Sequence, residues 1–270
     1  MSARHIVSVP VARHRTRGFT LVELMITVAI ALFLLGGLAM IVQNTRRENV
    51  NQQQLAVLQD EQRFAMTVLT DSIQEGGHYP NATAQTQDSA LPQVGATMKQ
   101  GQAFYGSHAA AGYPGTPDTL TVRFMTQGSD GLIMCDGSTN TAAAGTNYTT
   151  ETNAFTVVPP AGNTPGQLLC SLNGNAAVPL VNGVQSLEIL YGVNRNAPTV
   201  NYNVDTYLTA DQMNSALPAG GDWMNITSVR IVLTFTNPLC ATPATCQPGQ
   251  PATITFERVV PVMGRAGFHS

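Results

Sequence analysis

The chain has 270 residues, of which 43% are apolar and only 11% are charged, and its net charge is −3. A chain of this length can form one globular domain together with an extended element. The acidic balance, with Lys99 as the only lysine, argues against nucleic acid as a partner. All acidic residues follow Gly18, so a chain cut after that residue would be more acidic still.

A basic segment, residues 1–18, opens the chain and contains arginines but no apolar core. An apolar run from Phe19 to Val42 follows, with Glu23 as its only charge. As a helix rising ~1.5 Å per residue, this run is long enough to cross a hydrocarbon core of ~30 Å. The basic segment should stay in the cytoplasm, and the chain after the run should be exported. A carboxylate in such a helix is costly, so we expect Glu23 to have a cationic partner.

The helix is predicted to continue well beyond the apolar run, because no proline occurs between Phe19 and Tyr79. Past residue 42 the composition becomes polar, but a periodic apolar stripe persists. Its members are Leu55, Leu58, Gln62, Ala65, Leu69 and Ser72, with Met66 and Ile73 beside them. Gly76-Gly77 and Pro80 end the helix near Glu75. Gly36-Gly37 is either a weak point or a place of close helix packing.

Residues 76–270, which we call the head, are predicted to form mainly strands. Residues 81–115 are predicted to be a long connection with one short strand near 103–105. Alternating apolar residues then predict strands at Thr119–Thr126, Phe155–Val158, Gln167–Leu172, Val184–Val193, Val229–Phe235 and Thr253–Val260. A short helix is predicted at Asp205–Leu217, where Thr209 and Gln212 have capping-box spacing. The sequence therefore predicts an α+β fold, with an antiparallel sheet packed on the polar half of the long helix.

The residues favour a protein that is not an enzyme. No Walker loop and no GxSxG motif occurs. Glu188 and Glu257 alternate with apolar residues, which indicates solvated strand faces rather than a catalytic carboxylate pair. The five histidines are scattered and no CxxC occurs, so neither a metal site nor a cofactor is expected. Asp130 and Asp136 precede glycines without EF-hand spacing, which is typical of turns.

The start of the chain resembles the class III signal of type IV prepilins and type II secretion pseudopilins. The resemblance rests on the basic residues, Gly18 and the sequence Phe19-Thr20-Leu21-Val22-Glu23-Leu24-Met25. It implies that residues 1–18 are a leader, that a prepilin peptidase cleaves after Gly18, and that the new terminus at Phe19 is methylated. Glu23 would then be the register charge, pairing with the free amine of a neighbouring subunit. An ordinary uncleaved signal anchor is the alternative. Glu23 can also be stabilised at the helix start by the N-terminal dipole, and this does not exclude the register role.

Within the head, residues 180–193, a Thr/Ala-rich short helix, Trp223 and residues 229–233 resemble the PilW family of minor pilins. Cys135-Asp136-Gly137 and Leu169-Cys170 fit the cysteine pattern of that family. The tail at residues 262–267 lacks the Arg-Asn ending associated with many members, which weakens the assignment of the last strand. Pseudopilins of the J type in type II secretion resemble the same region.

The four cysteines all lie past residue 134, in the part that the anchor would export, so disulfides are expected. Three connectivities are possible. Pairing Cys135 with Cys170 and Cys240 with Cys246 is favoured, because the second pair closes a short Pro-bounded loop and the first ties neighbouring strands together.

The resemblance implies a type IV pilin-like fold in three parts: the leader at 1–18, the helix at 19–75 and a periplasmic head at 76–270. Within the helix, residues 19–42 would be the transmembrane or filament-core part and residues 43–75 the amphipathic part. The implied function is that of a minor pilin in pilus initiation and in the tip complex, and hence in twitching motility. The implied partners are the prepilin peptidase, other minor pilins, the major pilin, a PilY-type tip adhesin and the inner membrane. The subunit would be single-pass in the inner membrane before it enters the surface filament.

Two other functions remain open at this stage. One is a J-type minor pseudopilin of a type II secretion system. The other, from a different class, is a membrane-tethered periplasmic binding domain or enzyme, which would not be processed at Gly18 and would contain a cleft with convergent polar groups.

Overall fold

The computed structural model describes residues 18–108, 117–162, 164–194, 203–215, 221–240, 246 and 249–263. The chain divides into two compact units, Met1–Gln52 and Gln53–Ser270. Helix α1 spans Leu21–Glu75 and is helical throughout, including at Gly36-Gly37. The predicted long helix is therefore confirmed, although it begins at Leu21 rather than at Phe19.

Helix α1 ends where the sequence places two glycines. The amide of Gly76 donates to the carbonyl of Ile73 at 3.1 Å. Gly77 adopts a φ of +80°, which glycine tolerates better than other residues, and its amide donates to the carbonyl of Arg123 at 2.9 Å. The end of the helix is thus attached directly to the first sheet.

The first sheet has five antiparallel strands in the order β1-β2-β3-β4-β5. They span β1 Phe104–Ser107, β2 Thr119–Thr126, β3 Thr149–Val158, β4 Gln167–Leu172 and β5 Val178–Asn182. A short helix, α2 (Gln87–Ala90), lies in the connection that precedes β1. That connection was predicted as irregular except for one strand.

The second sheet has four antiparallel strands in the order β7-β6-β8-β9. They span β6 Val184–Val193, β7 Thr206–Leu208, β8 Ile226–Thr236 and β9 Thr253–Pro261. Between β7 and β8 come helix α3 (Ala210–Ser215) and a 3-10 turn (Gly221–Asn225). The α+β class is confirmed, but the antiparallel strands form two sheets instead of the single sheet that we expected.

The capping box predicted for the short helix is present. The amide of Thr209 donates to Gln212 Oε1 at 3.0 Å, and the amide of Gln212 donates to Thr209 Oγ1 at 3.3 Å. The predicted start of this helix was wrong, because Thr206–Leu208 form strand β7 before the cap. The predicted end, residues 216–217, lies outside the described residues.

The core lies between the polar half of α1 and the two sheets. On α1 the buried residues are Leu58, Ala65, Met66, Leu69, Ser72 and Ile73, which is most of the predicted stripe. In β8 the alternating residues Val229, Ile231, Leu233 and Phe235 are completely buried. Full burial of a large apolar side chain contributes roughly 1.5–3 kcal/mol, so this face stabilises the helix far more than its intrinsic propensity does.

The two sheets are joined at Asp118, immediately before β2. Its amide donates to the carbonyl of Leu187 at 3.0 Å, and its Oδ2 accepts a 2.8 Å hydrogen bond from the amide of Ile189. Both partners lie in β6, and Asp118 is buried. A buried carboxylate requires such donors, so this residue ties the first sheet to the second.

Candidate assembly site

The first turn of α1 is capped by its own sequence. The amide of Glu23 donates to Thr20 Oγ1 at 3.3 Å, and the amide of Leu24 donates to the carbonyl of Thr20 at 3.1 Å. Thr20 is therefore the N-cap, and Glu23 lies in the first turn, where its carboxylate interacts favourably with the positive end of the helix dipole. Gly18 and Phe19 precede the cap and are exposed.

The apolar half of α1 is uncovered in the isolated chain. Every large apolar side chain from Phe19 to Val42 is exposed. Among the described residues, one helix, α1, is long and apolar enough to span a membrane by length and composition. A continuous apolar surface of this size requires lipid or other protein to cover it.

The head carries two disulfides, which join Cys135 to Cys170 and Cys240 to Cys246. The Cα atoms are 6.1 Å apart in the first pair and 4.5 Å apart in the second, within the usual range for a disulfide. This is the connectivity that the sequence favoured. The first disulfide attaches the loop after β2 to strand β4, and the second closes a short loop after β8.

A polar network lies beneath the first disulfide. Asn153 in β3 accepts a 3.3 Å hydrogen bond from the amide of Cys135 and donates at 3.2 Å to the Ser72 hydroxyl on α1. Asn153 is completely buried and Ser72 nearly so. Asn153 is in phase with the buried Phe155 and Val157, but the strand was predicted only from Phe155 onwards, so this network was not predicted.

Arg123 contradicts the predicted face of β2. The alternation assigned Arg123 and Met125 to the solvated face, but both are buried. The guanidinium donates to the carbonyls of Gln102 and Pro92, so it holds the connection before β1 against the sheet. Burial lowers the pKa of Arg123. The prediction was wrong because this connection covers the second face of β2.

The remaining acidic candidates have local roles. Glu257 pairs with Arg230 on the neighbouring strand at 2.7 Å, and Glu188 is exposed. Asp130 accepts from Thr126, Gln127 and Leu132, as expected of a turn, and Asp136 accepts from Ser138. Within the described residues, no three His, Cys, Asp or Glu side chains are grouped so that they could hold a metal ion.

Residues 154–259 match the family model described as Type IV Pilus-assembly protein W. Residues 13–39 match the prokaryotic N-terminal methylation motif. Together the two matches support a prepilin-like protein of the PilW family. The PilW match extends from β3 to β9 and so includes strands of both sheets, while the motif covers the capped start of α1. No curated protein matches the chain significantly.

These matches support a minor pilin related to the type IV pilus. The methylation motif and the exposed apolar helix fit a membrane-anchored pilin. The match to a pilus-assembly family also supports interaction with other pilus components. Residues 40–153 lie outside both matches, and they contain the polar half of α1 together with strands β1 and β2.

Proposed function

We propose that the chain takes part in the initiation of type IV pilus assembly and in the tip complex with other minor pilins and a PilY-type adhesin. The observation that carries the proposal is the combination, on one chain, of a methylation motif at a capped and fully exposed apolar helix with a head that matches PilW. The major pilin would follow this complex in the filament.

In this proposal, maturation takes place at the start of the chain. A prepilin peptidase cleaves after Gly18 and methylates the amine of Phe19. The exposure of both residues ahead of the Thr20 cap supports this step, because a peptidase needs an accessible extended segment. Removal of residues 1–18 also removes the basic segment that holds the start of the chain in the cytoplasm.

Assembly itself is non-covalent. The apolar surface of residues 19–42 packs laterally against the helices of other pilins, and Glu23 accepts the free amine of a neighbouring Phe19. An ion pair in such an apolar environment is strongly preferred over an unpaired carboxylate. The register between neighbouring helices is then set by the few residues that separate Phe19 from Glu23.

The proposed location follows from the same features. The chain is held in the inner membrane by α1 with its head in the periplasm, and it then moves to the filament. The two disulfides support an oxidising compartment for the head, since such bonds are rare in reducing cytoplasm.

The deciding experiment is deletion of the gene, followed by complementation with the wild-type chain. We expect loss of surface pili and of twitching motility, with secretion of exoproteins unchanged. Loss of secretion with normal pili would instead identify a J-type pseudopilin. If neither phenotype appears and Gly18 is not processed in cells, the chain is a membrane-tethered binding domain or enzyme, and the proposal is wrong.

A further inference from the structure

A groove of about 390 Å³ runs along the polar half of α1, beside the loop that follows β2. One wall is formed by the face of α1 from Phe64 to Glu75, and the other by residues 131–137. The twelve residues from Phe64 to Glu75, eleven helical steps, extend for roughly 16 Å at 1.5 Å per residue, or about three helical turns. This length suits a helical segment of similar length.

The end of the groove near Phe64 is apolar. Phe64 is 51% exposed and Ile133 61% exposed, and they face the groove from opposite walls. Val68, one turn after Phe64 on α1, is half-buried and also lines the groove. Apolar side chains that are exposed together in one concave place are typical of a surface that a partner covers.

The other end of the groove is acidic. Asp71 and Glu75 lie one turn apart on α1, and Asp130 acts on Glu75 from the loop. Burial raises the pKa of Glu75 to about 7, and the charges of Asp71 and Asp130 add to this effect. Glu75 Oε2 is buried and has no hydrogen-bond partner among the described residues. In that same part of the chain, neither Lys nor Arg forms an ion pair with Asp71 or Glu75.

We propose that this groove binds part of the N-terminal helix of a neighbouring pilin-type subunit, at a place where apolar residues are followed within about two turns by arginine or lysine. The apolar residues cover Phe64 and Ile133, and the cation pairs with Glu75 and Asp71. This inference rests on the proposed function, because it concerns contacts within the assembled complex.

Charge complementarity selects this occupant over a neutral one. An incoming cation satisfies the orphan oxygen of Glu75 and offsets the repulsion that Asp71 and Asp130 exert on it, whereas a neutral apolar partner would bury Asp71 and Glu75 without a counter-charge. The same argument disfavours an anionic lipid surface, which would repel the acidic end.

The chain itself contains a helical segment with this chemistry. Ile41 and Val42 are exposed on α1, and Arg46 and Arg47 follow them about one turn later. Neither arginine forms an ion pair with another of the described residues. The apolar part precedes the charged part along the chain in this segment and also along the α1 wall of the groove. If the two pilin helices run parallel, apolar residues face the apolar end of the groove, and Arg46 and Arg47 face its acidic end.

The test uses the full-length chain in the cells where it assembles, with a photo-crosslinking phenylalanine analogue at Ile133 and, as the matched control, at Val94. Val94 is 53% exposed and does not line the groove. We expect Ile133 to crosslink to the N-terminal helix of a pilin-type subunit, within about two turns of an arginine or lysine, and Val94 not to do so. Crosslinks from Ile133 to lipid alone, to another class of protein, or no more often than from Val94 overturn the inference.

A charge variant provides the second arm. We expect Glu75→Gln to reduce the yield of the Ile133 crosslink about five- to tenfold, since a partly buried charge-assisted contact is lost. Glu188→Gln, a change at an exposed carboxylate away from the groove, should leave the yield unchanged. An equal yield for both variants contradicts the role of Glu75.

The behaviour of the wild-type chain distinguishes failure of the groove inference from failure of the proposed function. If it is processed and incorporated but the groove does not crosslink as expected, the inference about the groove is wrong and the proposed function stands. If the wild-type chain is neither processed nor incorporated into a pilus complex, both are wrong.

Discussion

The side-chain amide of Asn153 in β3 lies 3.2 Å from the hydroxyl of Ser72 on α1, and both groups are buried. The same Asn153 side chain accepts from the amide of Cys135. One residue of the first sheet thus contacts the long helix and the loop that carries a disulfide. A buried amide in this position stabilises the fold only while both of its partners are present.

Replacing Asn153 with alanine should lower the free energy of unfolding by about 2–3 kcal/mol, because the Cys135 amide and the Ser72 hydroxyl lose their buried partner. Ser72→Ala should cost less, about 1 kcal/mol, and the double variant should cost less than the sum of the two. Urea unfolding of the full-length protein in detergent measures all three. Asn175→Ala, at an exposed position, is the control. Additive costs would show that the two side chains are not coupled.

Removing the Cys135–Cys170 disulfide by a double alanine substitution should destabilise the head more than removing Cys240–Cys246. The sequence separations are 35 and 6, and loop-closure entropy then predicts losses of about 4 and about 2 kcal/mol. Thermal unfolding of the two double variants under identical conditions provides the comparison. The reverse order would contradict the entropic explanation for these two loops.

Gly18→Ala should prevent removal of residues 1–18, because the proposed peptidase site requires glycine at this position. The mass of the purified protein, together with the methylation state of its first residue, reports the result. Gly37→Ala is a matched control, since a Cβ at either glycine meets no atom within 4 Å. Recovery of a chain that begins with methylated Phe19 from the Gly18→Ala variant would refute the prepilin maturation step.

Glu23→Ala should leave membrane insertion intact but reduce incorporation into pili about tenfold or more, because the neighbouring amine loses its counter-charge in an apolar environment. Sheared pili and membranes are assayed in parallel with antibody against the head. Glu48→Ala changes an exposed carboxylate on the same helix and should have no effect. Equal incorporation of the two variants would exclude the register role of Glu23.

Glu75 should make the unfolding temperature depend on pH. Its pKa is raised from 4.5 to about 7 in the folded protein by burial, Asp71 and Asp130, so the folded state binds more protons than the unfolded state between these values. Stability therefore falls as the pH rises from about 4.5 to about 7. Glu75→Gln should flatten this slope relative to the wild-type protein and to Glu188→Gln. The effect should be small, because Glu75 is partly solvated and its charge is screened.

Periodicity predicted the strands that bury one face and leave the other in water. β4 and β6 have the predicted bounds, and the alternating residues of β6 and β8 are buried as expected. β2 also has the predicted bounds, although its second face is covered. In strands that bury one face, apolar residues on that face alternate with polar residues on the solvated face, and this alternation is visible in the sequence. The capping box of α3 was visible for a similar reason, since it depends on two residues in one turn.

Three features that were missed do not follow from a local apolar pattern. β5 buries only Val181 among its five residues and pairs with β4 through an irregular register, so no alternation identifies it. The burial of Arg123 depends on carbonyls at residues 92 and 102. The groove beside α1 combines residues 64–75 with residues 131–137, and no local pattern relates these two segments. Contacts between segments distant in sequence decide the last two cases.

Every large apolar side chain between Phe19 and Val42 is exposed. Lipid tails are about as apolar as leucine side chains, so transfer of this surface from a bilayer to a bundle of like helices changes its hydration little. On the proposed assembly route, the hydrophobic effect therefore confines the subunit to dry surroundings but gives its movement no direction. The free-energy difference between the two locations comes from the polar pairing of Glu23 and from contacts of the head, while exchanges among aliphatic residues in this segment leave it nearly unchanged.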